Sequence, residues 1–134
     1  MTATDSFSWA RLLFSMPSAP LDPVPVPNLR LRVTRPALDT AVIAVRGELD
    51  ATTAPRLSEL LMSRLRGNLC TVVVDLSTVE FLAAAGISVL VRANLLARQR
   101  GITLRVRTGR NPYVTRPLAM TGLTEHLDLG EDDR

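Results

Sequence analysis

The chain has 134 residues, of which 46% are apolar, and this fits one globular domain with a single hydrophobic core rather than a multidomain enzyme. All 16 basic residues are arginine, and they are scattered among 13 acids to give a net charge of +3. We therefore expect no direct contact with nucleic acid, because a binding footprint would need the arginines on one face.

The sequence also limits where the protein works. Cys70 is the single cysteine, so no internal disulfide can form, and we expect this thiol to be a small core residue in a reducing compartment. No apolar run approaches the roughly 20 residues that span a bilayer. Asp5 and Arg11 also make the first residues unlike a secretory signal. These features predict a cytoplasmic protein with no transmembrane segment.

A separate segment precedes the predicted domain. Residues 17–27 hold five of the nine prolines, which favours an extended, semi-rigid spacer. Upstream of it, apolar residues recur at helical spacing over 5–16 and predict a short amphipathic helix. This segment is either a frayed tail that orders only in a crystal or a homodimer, or a helix that docks on a partner or a membrane surface. We accordingly divide the chain into an extension at 1–27, a folded domain at 28–130 and an acidic tail at 131–134.

The folded domain begins with a predicted hairpin. Leucine and valine alternate with arginine over 29–33, and a turn leads to a second apolar run at 41–45. Beyond it, Thr52 or Thr53 can cap a helix that has a proline in its first turn and stops at Gly67.

The second half of the domain alternates strands with helices. The Val-Val-Val run within 71–75 is typical of a strand that is covered on both faces and parallel to its neighbours. We expect this strand to end at Asp75 and a loop to lead into the next helix. The remaining predicted elements are a helix over 84–100, a half-exposed strand over 102–107, a helix capped by Asn111 that ends near Gly122, and a short edge strand around 127–129.

This order predicts an α/β fold with right-handed crossovers. We expect a mixed, mostly parallel sheet of four or five strands packed by three or four helices.

Four motifs give the domain a recognisable character. They are Gly47-Glu48-Leu49-Asp50 before the Thr/Pro-started helix, the strand at Val72–Leu76, the helix start at Phe81–Gly86, and Met120–Leu123 near the end. In this order and spacing they resemble the STAS domain of bacterial anti-sigma factor antagonists over roughly residues 29–130. The resemblance implies a domain that docks on an ATP-binding anti-sigma factor kinase and so releases a sigma factor.

The resemblance also implies a switch that this chain lacks. In the family a serine at the helix start is phosphorylated, and aligning the family glycine with Gly86 places Ala83 on the preceding aspartate and Ala84 on that serine. Alanine has no oxygen that could accept phosphate, so Ala84 is a degenerate phosphosite. The expected partner-binding residues are Asp50, Thr52, Ala83, Ala84, Ala85, Gly86 and Ile87.

Structural roles remain open for several of these residues. The alanines at 83–85 are also good helix formers, Gly86 suits close packing of the helix on the sheet, and Asp50 suits a helix cap. The nearest hydroxyl groups are the alternative phosphoacceptors, although caps and solvated helix positions also explain them. They are Ser77, Thr78 and Ser88.

The sequence offers no catalytic constellation. His126 is the single histidine and has no cysteine or histidine beside it, and the chain has neither a phosphate-binding glycine loop nor a nucleophile elbow. We therefore expect no enzyme, metal site or cofactor, and we attribute the arginines at 105–110 to an exposed strand. Two other functions stay open: a STAS subunit of a lipid-transport ATPase at the inner membrane, and a nucleotide- or lipid-sensing domain with its crevice near Asp50 and Ala84.

Overall fold

Five strands form one sheet in the computed structural model, which describes residues 28–122 and 128–129. The sheet follows chain order: the first two strands are antiparallel, and every later neighbouring pair is parallel. The strands are β1 (Leu29–Ala37), β2 (Thr40–Leu49), β3 (Thr71–Leu82), β4 (Thr103–Arg107) and β5 (Asp128–Leu129). The predicted N-terminal helix, the proline-rich spacer and the acidic tail lie outside the described residues.

Three helices connect or follow the parallel strands in the described part of the chain. They are α1 (Ala54–Leu65), α2 (Ala84–Gln99) and α3 (Pro112–Thr121). All three contribute to one hydrophobic cluster on one side of the sheet, where residues such as Ile43, Val45 and Val74 are fully buried. This architecture confirms the predicted α/β fold with a mixed, mostly parallel sheet.

The hairpin forms as its alternation predicts. Leu31 pairs with Val45 and Val33 with Ile43, which places these apolar side chains on the core face and the intervening arginines on the other face. Gly47 closes the ladder with a φ of +108°, and a Cβ atom there would collide with the carbonyl oxygen of Asn28. Only glycine fits this close approach.

β3 continues well past Asp75, so the predicted loop between strand and helix is wrong. The strand runs to Leu82 because its second half stays paired with the end of β2, through two irregularities that each give β3 an extra residue. Asp75 therefore lies within the strand, where it accepts the Ser77 N–H at 3.0 Å and faces Arg107 at 3.8 Å.

Along the extended part of β3, the side chain of Asn111 takes the place of β4 as the hydrogen-bonding neighbour. β4 pairs with β3 only as far as Asp75; beyond that point the Asn111 Nδ2 lies 2.7 Å from the carbonyl oxygen of Val79, 3.1 Å from that of Ser77 and 3.3 Å from that of Leu76. Asn111 also caps α3, as predicted, since its Oδ1 accepts the Tyr113 N–H at 3.0 Å.

The expectation of a buried Cys70 is wrong, because this residue is exposed. It lies in the connection just before β3, where its backbone N–H donates to Asp39 and its carbonyl accepts from Thr103. The backbone is held while the side chain faces outward.

Candidate functional site

The start of α2 is held by backbone contacts rather than by side chains. Ala83 is the N-cap residue, in extended conformation and with no side-chain cap, and its N–H donates to the Leu49 carbonyl at 2.8 Å. This bond ties the helix start to the end of β2. Ala84, the first residue of the helix, is exposed. The start of α2 therefore presents the small methyl group of Ala84 next to backbone N–H groups that no side chain caps.

Gly86 sets how closely α2 approaches the sheet. It is buried, and a Cβ atom there would lie 2.8 Å from Leu82 Cδ1 and 3.0 Å from Leu49 Cβ. Both distances are shorter than normal packing allows, so Gly86 serves close packing, the structural role left open by the sequence. Ile87 beside it is also largely buried.

Asp50 organises the turn between β2 and α1. Its Oδ1 accepts the N–H groups of Thr52 at 2.9 Å and Thr53 at 3.0 Å, while its own N–H donates to Thr53 Oγ1 at 3.0 Å. The Thr53 hydroxyl is 2.6 Å from the Glu48 carbonyl. The hydrogen bond from the Thr53 N–H, aided by that from Thr52, lowers the pKa of Asp50 below its ordinary value despite partial burial. Thr53 is the N-cap residue of α1, but no side chain caps this helix, so the predicted threonine cap is wrong. Asp50 instead holds the turn that precedes the helix, and it stays ionised at neutral pH.

A groove of about 1000 Å³ lies between the first halves of α1 and α2. Its walls are mainly small or apolar, with polar groups such as Glu59 and Arg92 among them. The lining residues are Ala51, Ala54, Pro55, Ser58, Glu59, Ala85, Ile87, Ser88, Val89, Val91 and Arg92. A shallow apolar groove rimmed by charge is a common form of protein-binding surface.

The structure brings only part of the predicted site together. Ala85 and Ile87 line the groove, and Ala84 lies on the helix turn that opens it. The α1 side of the groove was missed, since no motif marks it; the spacing of Ala54 and Ser58, four residues apart on one helix face, was the available signal.

The three candidate hydroxyl groups lie in different places. Ser88 is exposed and lines the groove, one helical turn after Ala84. Ser77 is half-buried and packs closely against Gly109: a Cβ atom added to Gly109 would lie 2.6 Å from the Cβ atom of Ser77. Thr78 pairs with Arg46 on the sheet face opposite the core. Among these three, only Ser88 borders the groove.

Within residues 28–122, no group of three or more histidine, cysteine or acidic residues is arranged to hold a metal ion. No helix in this part of the chain is long and apolar enough to cross a membrane.

Comparison with known proteins identifies the fold and its relatives. Residues 33–130 match the family model described as Mlab, STAS domain. Anti-sigma-F factor antagonist RsfB of Mycobacterium tuberculosis is 34% identical over 92 residues, which cover 66% of this chain and 71% of that protein.

Solved structures agree with this match. An anti-sigma factor antagonist from Mycobacterium paratuberculosis superposes with a TM-score of 0.66 at 28% identity and covers 81% of this chain and 91% of its own. SpoIIAA in its unphosphorylated form gives a TM-score of 0.65 at 14% identity, with 78% and 90% covered; this last likeness shows the fold alone. The prediction of a non-enzymatic protein is confirmed by these relatives, whose names describe antagonists of other proteins. The chain belongs to the STAS-domain family.

Proposed function

We propose that this protein is an anti-sigma factor antagonist, which binds a kinase-type anti-sigma factor and thereby frees a sigma factor for RNA polymerase. The observation that supports it most is the apolar groove beside the exposed Ala84, in a chain whose relatives are named as anti-sigma factor antagonists. The partner would contact the first turns of α1 and α2 and the turn built by Asp50 and Thr52.

We further propose that no phosphate at residue 84 regulates this contact. A phosphate on a residue at this position would add about −1.5 to −2 charges to a surface that must pack against a partner, and the ionised Asp50 follows directly on Leu49, whose carbonyl holds Ala83. Repulsion and desolvation would then weaken binding. Ala84 removes that step, while its methyl group leaves a surface similar to that of an unmodified serine.

The binding test uses one added charge at two positions of α2. Ala84→Glu should weaken binding to an anti-sigma factor of the same organism by about tenfold or more, because the carboxylate must be desolvated at the interface. Gln99→Glu adds the same charge at the exposed far end of the helix and should bind like the wild type. Surface plasmon resonance with the immobilised partner measures both. Equal binding by all three proteins would place the interface elsewhere.

The switch is tested separately by mass spectrometry after incubation with ATP and the partner kinase. The wild type should gain no phosphate, whereas the double variant Ala83→Asp, Ala84→Ser should become a substrate. Phosphate on the wild type at Ser88, the hydroxyl that borders the groove, or at Ser77 or Thr78 would contradict the loss of phosphate control. Without such control, occupancy of the partner depends on the amount of this protein, on a ligand or on a second partner.

A further inference from the structure

The face of the sheet opposite the helices is rich in arginine. Strand register puts Arg32 in one row with Ala44, Asp75 and Arg107, and the next row towards the carboxyl end of β2 pairs Arg30 with Arg46. Directly paired residues of neighbouring strands point to the same face, so these four arginines, which are separated in the sequence, lie on one face of the sheet. Asp75 lies in the same row and faces Arg107 at 3.8 Å, so the excess positive charge of these rows is at Arg30, Arg32 and Arg46.

Three of these arginines surround a single concavity. It measures about 430 Å³ and is lined by Arg30, Leu31, Arg32, Ala44, Arg46 and Thr78. None of the guanidinium groups of Arg30, Arg32 and Arg46 forms an ion pair or hydrogen bond within residues 28–122. This set is called the arginine triad below.

The stability of the sheet does not explain why three arginines lie together here. Arg30 and Arg46 are directly opposite each other in an antiparallel pair, and like charges in that position destabilise a sheet. Arginine on an edge strand can protect the edge against aggregation, which accounts for Arg30 and Arg32 on β1. It does not account for Arg46, because β2 is paired on both sides.

No acid within residues 28–122 forms an ion pair with the triad. Asp75 lies beside Ala44 in the sheet, but its carboxylate accepts the Ser77 N–H and faces Arg107. Glu48 is on β2 two residues beyond Arg46 and is half-buried, without a salt bridge among the described residues. Thr78 also lines the concavity. Its hydroxyl donates to the Val45 carbonyl at 3.1 Å.

We propose that the arginine triad is a binding site for a small soluble anion that carries two or more phosphate groups. Guanidinium groups bind phosphate oxygens through paired, charge-assisted hydrogen bonds, and three of them offset several negative charges. The volume lies within the range of small-molecule sites. The site is on the opposite side of the sheet from the α1–α2 groove, so it is independent of the proposed partner contact.

The test is isothermal titration calorimetry of the full chain with sodium tripolyphosphate at fixed ionic strength, without any protein partner. Arg46→Gln and Arg30→Gln should each raise Kd by about tenfold or more, because each removes charge-assisted hydrogen bonds. The matched control is Arg98→Gln, which removes the same charge from an exposed position on α2 and should change Kd less than about twofold, in line with an ionic interaction over distance.

Thermal unfolding without ligand checks that the variants fold. Arg46→Gln should be at least as stable as the wild type, because it removes the repulsion from Arg30. The proposal is overturned if wild type binds no tripolyphosphate at about 1 mM, or if Arg98→Gln loses as much affinity as Arg46→Gln, since the attraction is then general charge. It is also overturned if the wild type binds vesicles containing phosphatidylglycerol but not tripolyphosphate, because the triad then contacts a lipid surface.

Discussion

The Asn111 side chain should make a large contribution to stability, because it joins α3 to the second half of β3. Asn111→Ala removes the helix cap, worth about 1 kcal/mol. It also removes the amide that lies near three β3 carbonyls; with two protons, this amide makes up to two full hydrogen bonds of about 1 kcal/mol each. We expect the free energy of unfolding to fall by about 3 kcal/mol, or roughly 12 °C in Tm.

A second variant separates the two contributions. Asn111→Ser keeps a good cap but is too short to reach the strand, so it should lose only about 2 kcal/mol. Urea denaturation measures both variants, and hydrogen exchange should show reduced protection over 76–82 in each. If Asn111→Ser is as stable as the wild type, the contacts with β3 contribute nothing to stability, and the Asn111 amide does not hold the extended part of β3.

Two further predictions concern the residues that shape the groove side of the molecule. Gly86→Ala should lower the free energy of unfolding by up to about 2 kcal/mol, because overpacking against Leu82 and Leu49 costs about 1–3 kcal/mol and the higher helix propensity of alanine returns about 1 kcal/mol. The control, Ser88→Ala at an exposed position of the same helix, should be neutral or slightly stabilising. The same change in stability for both variants in urea denaturation would contradict the packing role of Gly86. The lowered pKa of Asp50 stabilises the folded protein at pH values above the ordinary aspartate pKa of about 4, and this stabilisation is lost as the pH falls through the folded-state pKa. The stability advantage of the wild type over Asp50→Asn should therefore shrink on acidification. An advantage that does not change with pH would contradict the role given to the Asp50 carboxylate.

Local patterns predicted most of the secondary structure. The hairpin, the proline in the first turn of α1, the cap at Asn111 and the helix end near Gly122 each depend on residues close together in sequence, and each was confirmed. The extension of β3 to Leu82 could not be predicted in this way. It depends on pairing with the end of β2 and on the Asn111 amide, which comes from more than 30 residues further along the chain.

The candidate site was predictable to a similar extent. The motifs pointed to Asp50 and Ala84, whereas the α1 wall of the groove and the arginine triad arise only when separate elements come together. Arg30 and Arg46 are distant in the sequence and become neighbours through strand register. The composition of the whole chain gives abundant arginine and a mild net charge. It does not reveal that most of the arginines, but fewer than half of the acids, fall within residues 28–122.

The proposed docking surface owes its shape to residues other than those that would carry a phosphate switch. The start of α2 is fixed by the backbone bond between Ala83 and Leu49 and by the close approach at Gly86, while the Asp50 turn precedes the neighbouring start of α1. None of these contacts uses a side chain at residues 83–85. A serine at position 84 would therefore add a charge switch without contributing to the geometry, and alanine removes the switch without disturbing it. Shape and phosphate control are therefore separable at this position, and the proposed docking surface does not require a serine at residue 84.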